Sequence, residues 1–128
     1  MQIHQSAEDY LETILMLNQR MGRVRSIDVV NELGYTKASV SIAMKKLREN
    51  GYIAVDGEGN LTLLGPGREI AERIYSRHRL LTHFFVQLGV DEETAAEDAC
   101  KAEHILSEQT LEKIREYALL HDAQDSVK

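Results

Sequence analysis

The chain has 128 residues, 43% of them hydrophobic and 28% charged, and a formal net charge of -6. That size and balance suit one ordinary domain, or two small ones sharing a core, and exclude an intrinsically disordered chain. No stretch approaches the ~20 apolar residues of a membrane span, and a single cysteine excludes an intramolecular disulfide.

The charge is unevenly spread. Residues 1–66 hold 7 Lys/Arg against 8 Asp/Glu, whereas residues 67–128 hold 8 against 13. Inside the first half, residues 20–50 carry Arg20, Arg23, Arg25, Lys37, Lys45, Lys46 and Arg48 against Asp28, Glu32 and Glu49. This local cationic excess suits a phosphate-facing patch, while the acidic second half suits cations. Met1-Gln2-Ile3-His4-Gln5 has no basic region followed by an apolar one, so a cytoplasmic location is expected.

In chain order, apolar spacing predicts a first helix over 6–20, with Ser6 as N-cap and Asp9 completing a capping-box-like start. A short second helix, Ser26–Leu33, is expected to be capped by Ser26 and stopped at Gly34. Thr36 then caps a third helix reaching about Asn50, with Val40, Met44 and Leu47 inward. Two strand-like runs, 53–56 and 61–64, flank Gly57-Glu58-Gly59-Asn60 and read as a hairpin. Helix, helix, recognition helix and hairpin together make a winged helix-turn-helix.

Gly65-Pro66-Gly67 reads as a domain boundary and hinge, giving a DNA-binding domain at 1–65 and a helical domain at 66–128. A fourth helix is expected over about 66–88 and a fifth, capped by Asp91, over 91–106. A sixth starts at Ser107, with Leu111, Ile114 and Leu119 inward and 124–128 frayed. The fold class is therefore mainly α with a small β-hairpin. Phe84 and Phe85 ask for more cover than three helices provide, so self-association through the second half is expected.

On the third helix, Ala38, Ile42 and Lys45 lie opposite the inward stripe, with Ser39, Ser41 and Lys46 on its flanks. With Arg25, Thr36 and Lys37 these are the candidate DNA-binding residues, the polar ones suited to phosphates. Ile42 suits a thymine methyl group, or is simply a stray exposed isoleucine.

A second constellation is Cys100, Glu103 and His104, a C-x-x-E-H cluster in the predicted fifth helix. Positions i, i+3 and i+4 share one sector of about 100°, so a thiolate, a carboxylate and an imidazole project together. Their shared chemistry is divalent transition-metal binding. Asp9 and Glu12 sit one turn apart on the first helix, away from its apolar stripe, and a cation would reverse their mutual repulsion. His78 lies at the edge of the fourth helix's stripe. All six can meet at one seam. Alone, Asp9 and Glu12 also suit a solvated helix face, His78 a packed histidine, and Cys100 a small buried hydrophobe. No nucleophile, base and pocket combine into a catalytic constellation, and the chain is read as a non-enzyme with no small organic substrate.

Ser6-Ala7-Glu8-Asp9-Tyr10-Leu11-Glu12, the winged helix, Arg77-His78-Arg79-Leu80-Leu81, Gly89-Val90-Asp91-Glu92 and Ala99-Cys100-Lys101-Ala102-Glu103-His104 resemble the diphtheria toxin repressor family of metal-dependent repressors. The resemblance covers about residues 5–121. It is closest to the manganese transport regulator branch, and no SH3-like third domain is expected. It implies a homodimer, with a helical dimerisation and metal-binding domain, that binds a palindromic operator when loaded with Mn(II) or Fe(II) and represses metal-uptake genes. It also implies Asp9, Glu12, His78, Glu103 and His104 as ligands. Cys100 departs from the manganese branch, which has glutamate there, and matches the iron branch. That branch in turn has methionine in place of Asp9 and further ligands where this chain has Thr82 and Ala96. A thiolate favours Fe(II), Zn(II), Co(II) or Ni(II), whereas the carboxylates favour Mn(II) or Fe(II). The alternative is a winged-helix regulator that senses redox change through Cys100.

Overall fold

Gly34 ends the second helix where a helix must reverse. It takes φ 73°, a region open to glycine, and its N–H donates to the Val30 carbonyl at 2.8 Å. The computed structural model describes the backbone of residues 5–127 and the side chains of residues 6–123. Met1 to His4, where the absence of a signal sequence was read, and Lys128 lie outside the described residues. Six helices and one hairpin follow in order: α1 (Gln5–Met21), α2 (Ser26–Leu33), α3 (Lys37–Glu49), β1 (Ile53–Val55), β2 (Leu61–Leu63), α4 (Gly65–Gln87), α5 (Glu92–Ala102) and α6 (Glu108–Val127). No described helix is long and apolar enough to cross a membrane. By compactness the chain divides after Arg73.

The first unit, residues 1–73, is a winged helix-turn-helix. Leu11, Ile14, Leu15 and Leu17 of α1 are buried with Val24, Val29, Val40, Met44 and Leu47, and with Ile53, Leu61 and Leu63 of the hairpin. Each fully buried aliphatic side chain contributes roughly 1.5–3 kcal/mol. β1 and β2 pair antiparallel with Ile53 opposite Leu63 and Val55 opposite Leu61, so each of these pairs unites two apolar residues. An isolated bridge, Arg25 to Asn60, ties the segment before α2 to this wing. Helix α1 begins at Gln5, so Ser6 lies inside its first turn and is not its cap. At α2 the N-cap is Arg25, not Ser26; Asp28 accepts from the Arg25 N–H at 2.9 Å. Arg20 and Glu32 join α1 to α2 at 2.7 Å.

Gly65-Pro66-Gly67 is the first turn of α4, not an open hinge. Leu64 N–H donates to the Tyr52 carbonyl, Gly67 packs directly on that carbonyl, and Arg73 pairs with Glu8 of α1. These contacts draw the start of α4 into the first unit.

The second unit, residues 74–128, is helical. Leu81 of α4, Ala99 of α5 and Leu111 of α6 form its buried centre, with Leu80, Phe85, Ala102, Leu106 and Ile114 against it. Ala95 and Ala99 are the buried residues of α5; small side chains there let helices approach closely. Ala118, not Leu119, continues the inward face of α6, and Leu119 is 64% exposed. The α6 backbone remains helical to Val127, past the expected fraying.

Candidate metal centre and nucleic-acid interface

In the second unit, three of the expected ligand residues converge. Glu103 is wholly buried. Its Oε2 lies 3.0 Å from His78 Nδ1, and its Oε1 lies 3.4 Å from His104 Nε2. The His104 side chain is itself almost completely enclosed. A buried carboxylate is costly without compensating charge or hydrogen bonds, so two imidazoles around it form a polar cluster rather than a packing detail.

The local backbone explains how they meet. Asp91 caps α5, its carboxylate accepting from the Thr94 N–H and hydroxyl; these bonds hold its carboxyl below the usual carboxylate range. The helix then stops earlier than expected. Glu103 is its C-cap, in helical conformation with its N–H on the Ala99 carbonyl, and Glu103, His104 and Ile105 form a turn. His104 therefore projects from a turn and not from a continuous helical face, because Ile105 N–H reaches back only three residues to Ala102. Arg77, adjacent to His78 on α4, fixes this turn: its Nη1 donates to the Glu103 carbonyl at 3.2 Å and its Nη2 pairs with Glu108. The sequence reading missed Arg77; its position beside His78 was the available signal. Cys100 is exposed on α5, one turn before Glu103.

In the first unit, Asp9 and Glu12 stand one turn apart on α1. Asp9 is half-buried and Glu12 is buried, within an unbroken buried run from Tyr10 to Leu15. The solvated-face alternative therefore fails for Glu12. Burial first, then Tyr35 and Asp9, raise the Tyr10 phenol above its usual range, and the Tyr10 and Tyr35 rings meet edge-on at 5.9 Å.

The helix expected to face nucleic acid is α3. Val40, Met44 and Leu47 are buried, while Thr36, Lys37, Ala38, Ser39, Ser41, Ile42, Lys45 and Lys46 are exposed. Thr36 caps the helix by accepting from the Ser39 N–H at 3.1 Å, and its hydroxyl donates to Ser39 Oγ. Arg25 has a structural task. Its guanidinium donates to the Glu58 carbonyl at 2.6 Å, fastening the wing tip to the start of α2. At that tip, Asp56 accepts from the Glu58 and Asn60 N–H groups and from the Asn60 amide. These bonds, those from Asn60 above all, hold its carboxyl below the usual range.

Comparison with known proteins matches both halves. Residues 2–61 match the family described as iron dependent repressor, N-terminal DNA binding domain, and residues 65–120 the iron dependent repressor, metal binding and dimerisation domain. An HTH-type transcriptional regulator of Methanocaldococcus jannaschii is 36% identical over 113 residues, covering 87% of this chain and 90% of that protein. The HTH-type transcriptional regulator MntR of Bacillus subtilis is 32% identical over 123 residues, 96% of this chain and 87% of its own. Among solved structures, a manganese-dependent transcriptional repressor in complex with manganese aligns with TM-score 0.80 at 28% identity, covering 88% of this chain. T. acidophilum IdeR aligns with TM-score 0.80 at 23% identity over 91% of this chain, a likeness of fold. The chain spans about half the length of both structures, 52% and 55%.

Proposed function

Because the chain belongs to the iron dependent repressor family, we propose that it is a metal-dependent transcriptional repressor. In this reading a homodimer loaded with Mn(II) or Fe(II) binds a palindromic operator and represses metal-uptake genes. It is a regulator rather than an enzyme, working in the cytoplasm on double-stranded DNA. The observation that carries the reading is the wholly buried Glu103 between two imidazoles, on a chain whose winged helix presents an exposed cationic helix.

The residues that would hold the ion are Asp9 and Glu12 of α1 with His78, Glu103 and His104, and Cys100 as a sixth. The donor set fits a divalent transition metal: imidazole nitrogens and carboxylate oxygens dominate, with one thiol. When bound, the cation supplies positive charge and directed bonds to those donors. The chain supplies the rest. His78 and Arg77 keep Glu103 and its turn in place. Helix α1 carries Asp9 and Glu12 and also packs on α2 and α3, so restraining those two carboxylates restrains the recognition helix. In a dimer, that restraint holds two recognition helices at the spacing of successive major grooves, ~34 Å.

Cys100 gives the set a soft donor beside hard carboxylates. Zn(II), Co(II) and Ni(II) are therefore expected to bind in vitro besides Mn(II) and Fe(II). The redox alternative through Cys100 finds no support in the relatives.

The test is binding of a fluorescent duplex, selected from a random-sequence pool, with Mn(II), Fe(II), Zn(II), Co(II) or chelator, repeated on Cys100→Glu. Binding should require the ion, and Cys100→Glu should shift the preference toward Mn(II). Undiminished binding in chelator contradicts the proposal.

A further inference from the structure

We infer that α3 selects DNA through thymine methyl groups, with Ile42 as the side chain that reads them; this rests on the DNA-binding reading above. Burial of Val40, Met44 and Leu47 fixes which face α3 presents. At the centre of that face stands Ile42, 58% exposed, one turn after the exposed Ala38. The side chains that read guanine or adenine by paired hydrogen bonds are Arg, Lys, Asn and Gln, and among positions 38, 41, 42 and 45 only Lys45 is one of them. Lys45 supplies one point charge. The thymine C5 methyl is the apolar group on the base edges of the major groove. Exposed Lys46, on the flank of Ile42, and exposed Lys37, at the start of the helix, supply charge complementary to phosphates. The occupant that fits an apolar centre with cations at its margin is therefore a duplex with thymine at the base step facing Ile42. Ala38, small and adjacent, leaves room for the base edge.

The experiment uses Mn(II)-loaded full chain and the duplex recovered by selection from a random pool. Each thymine is replaced in turn by deoxyuridine, which removes the methyl group alone. At one thymine per half-site the wild type should lose about fourfold in affinity, the factor set by burying a single methyl group. Ile42→Ala removes the contact from both half-sites of a dimer, so it should bind the thymine duplex no more tightly than the wild type binds the uracil one, and should be indifferent to the replacement. Its exposed position predicts an unchanged melting temperature, which separates reading from folding. Equal wild-type affinity for all thymine and uracil duplexes overturns the inference while leaving the repressor reading intact. So does a loss of oligomer mass on Ile42→Ala, which assigns the residue to a protein contact. Absence of any sequence-selective binding overturns both.

Discussion

His78 on α4 and Glu103 at the end of α5 meet at 3.0 Å, with the Glu103 carboxylate wholly buried. Two residues 25 apart in sequence thus form one buried polar pair, which the proposed function assigns to metal binding. Glu103→Gln removes the charge while keeping the shape. We expect Mn(II) affinity, measured by isothermal titration calorimetry, to fall by at least the ~10–100-fold that even outer partners of a metal ligand contribute. Unchanged affinity would remove Glu103 from the centre.

Gly67 offers a test of how α4 is seated. A Cβ added there would lie 2.1 Å from the Tyr52 carbonyl oxygen and 3.0 Å from its carbon. Backbone cannot yield as a flexible side chain does, so Gly67→Ala should destabilise the winged helix by about 1–3 kcal/mol. Chemical denaturation followed by circular dichroism reads the loss. Wild-type stability would show that α4 has freedom to shift at its first turn.

The wing should be sensitive to acid. Asp56 has its carboxyl held below the usual carboxylate range by the Asn60 N–H and amide, and then by the Glu58 N–H. A lowered folded-state pKa means that the stabilisation is complete above the usual carboxylate range and is lost as pH falls through the lowered value. Asp56→Asn should therefore be less stable than wild type at neutral pH, with the two converging in acid. NMR titration of the Asp56 carboxyl gives the direct reading, and an ordinary pKa there would contradict it.

Lys46, exposed on the flank of α3, is expected to touch phosphate. Lys46→Ala should weaken binding to every duplex by a similar factor and lower the salt slope of log affinity by about 1 for each protomer on the DNA. A change confined to one base position would make Lys46 a base reader.

Much of this architecture was legible in the sequence because it rests on local signals. Gly34, Thr36 and the run 57–60 mark chain reversals by their own chemistry, and the 3.6-residue spacing of Val40, Met44 and Leu47 identified the inward face of α3. What escaped depends on partners distant in sequence. Arg25 suggested phosphate contact; that its Nη2 also donates to the Glu58 carbonyl, 33 residues away, was not legible. Leu119 lies too far around α6 from Leu111, and a smaller Ala118 takes its place. Helix α5 ends at Ala102 although no glycine or proline follows it, so periodicity alone ran the helix on to Leu106. Of the expected ligand residues, His78, Glu103 and His104 converge within one unit, because a turn tied down by Arg77 presents the last two.

The central claim is that metal binding and DNA binding share one free energy through α1. The most direct measurement is Mn(II) affinity by calorimetry, with and without saturating selected duplex. Linkage requires DNA to tighten metal binding by the same factor as metal tightens DNA binding, on the order of 5–150-fold for a typical coupling. Identical Mn(II) affinity in the two titrations would contradict the account.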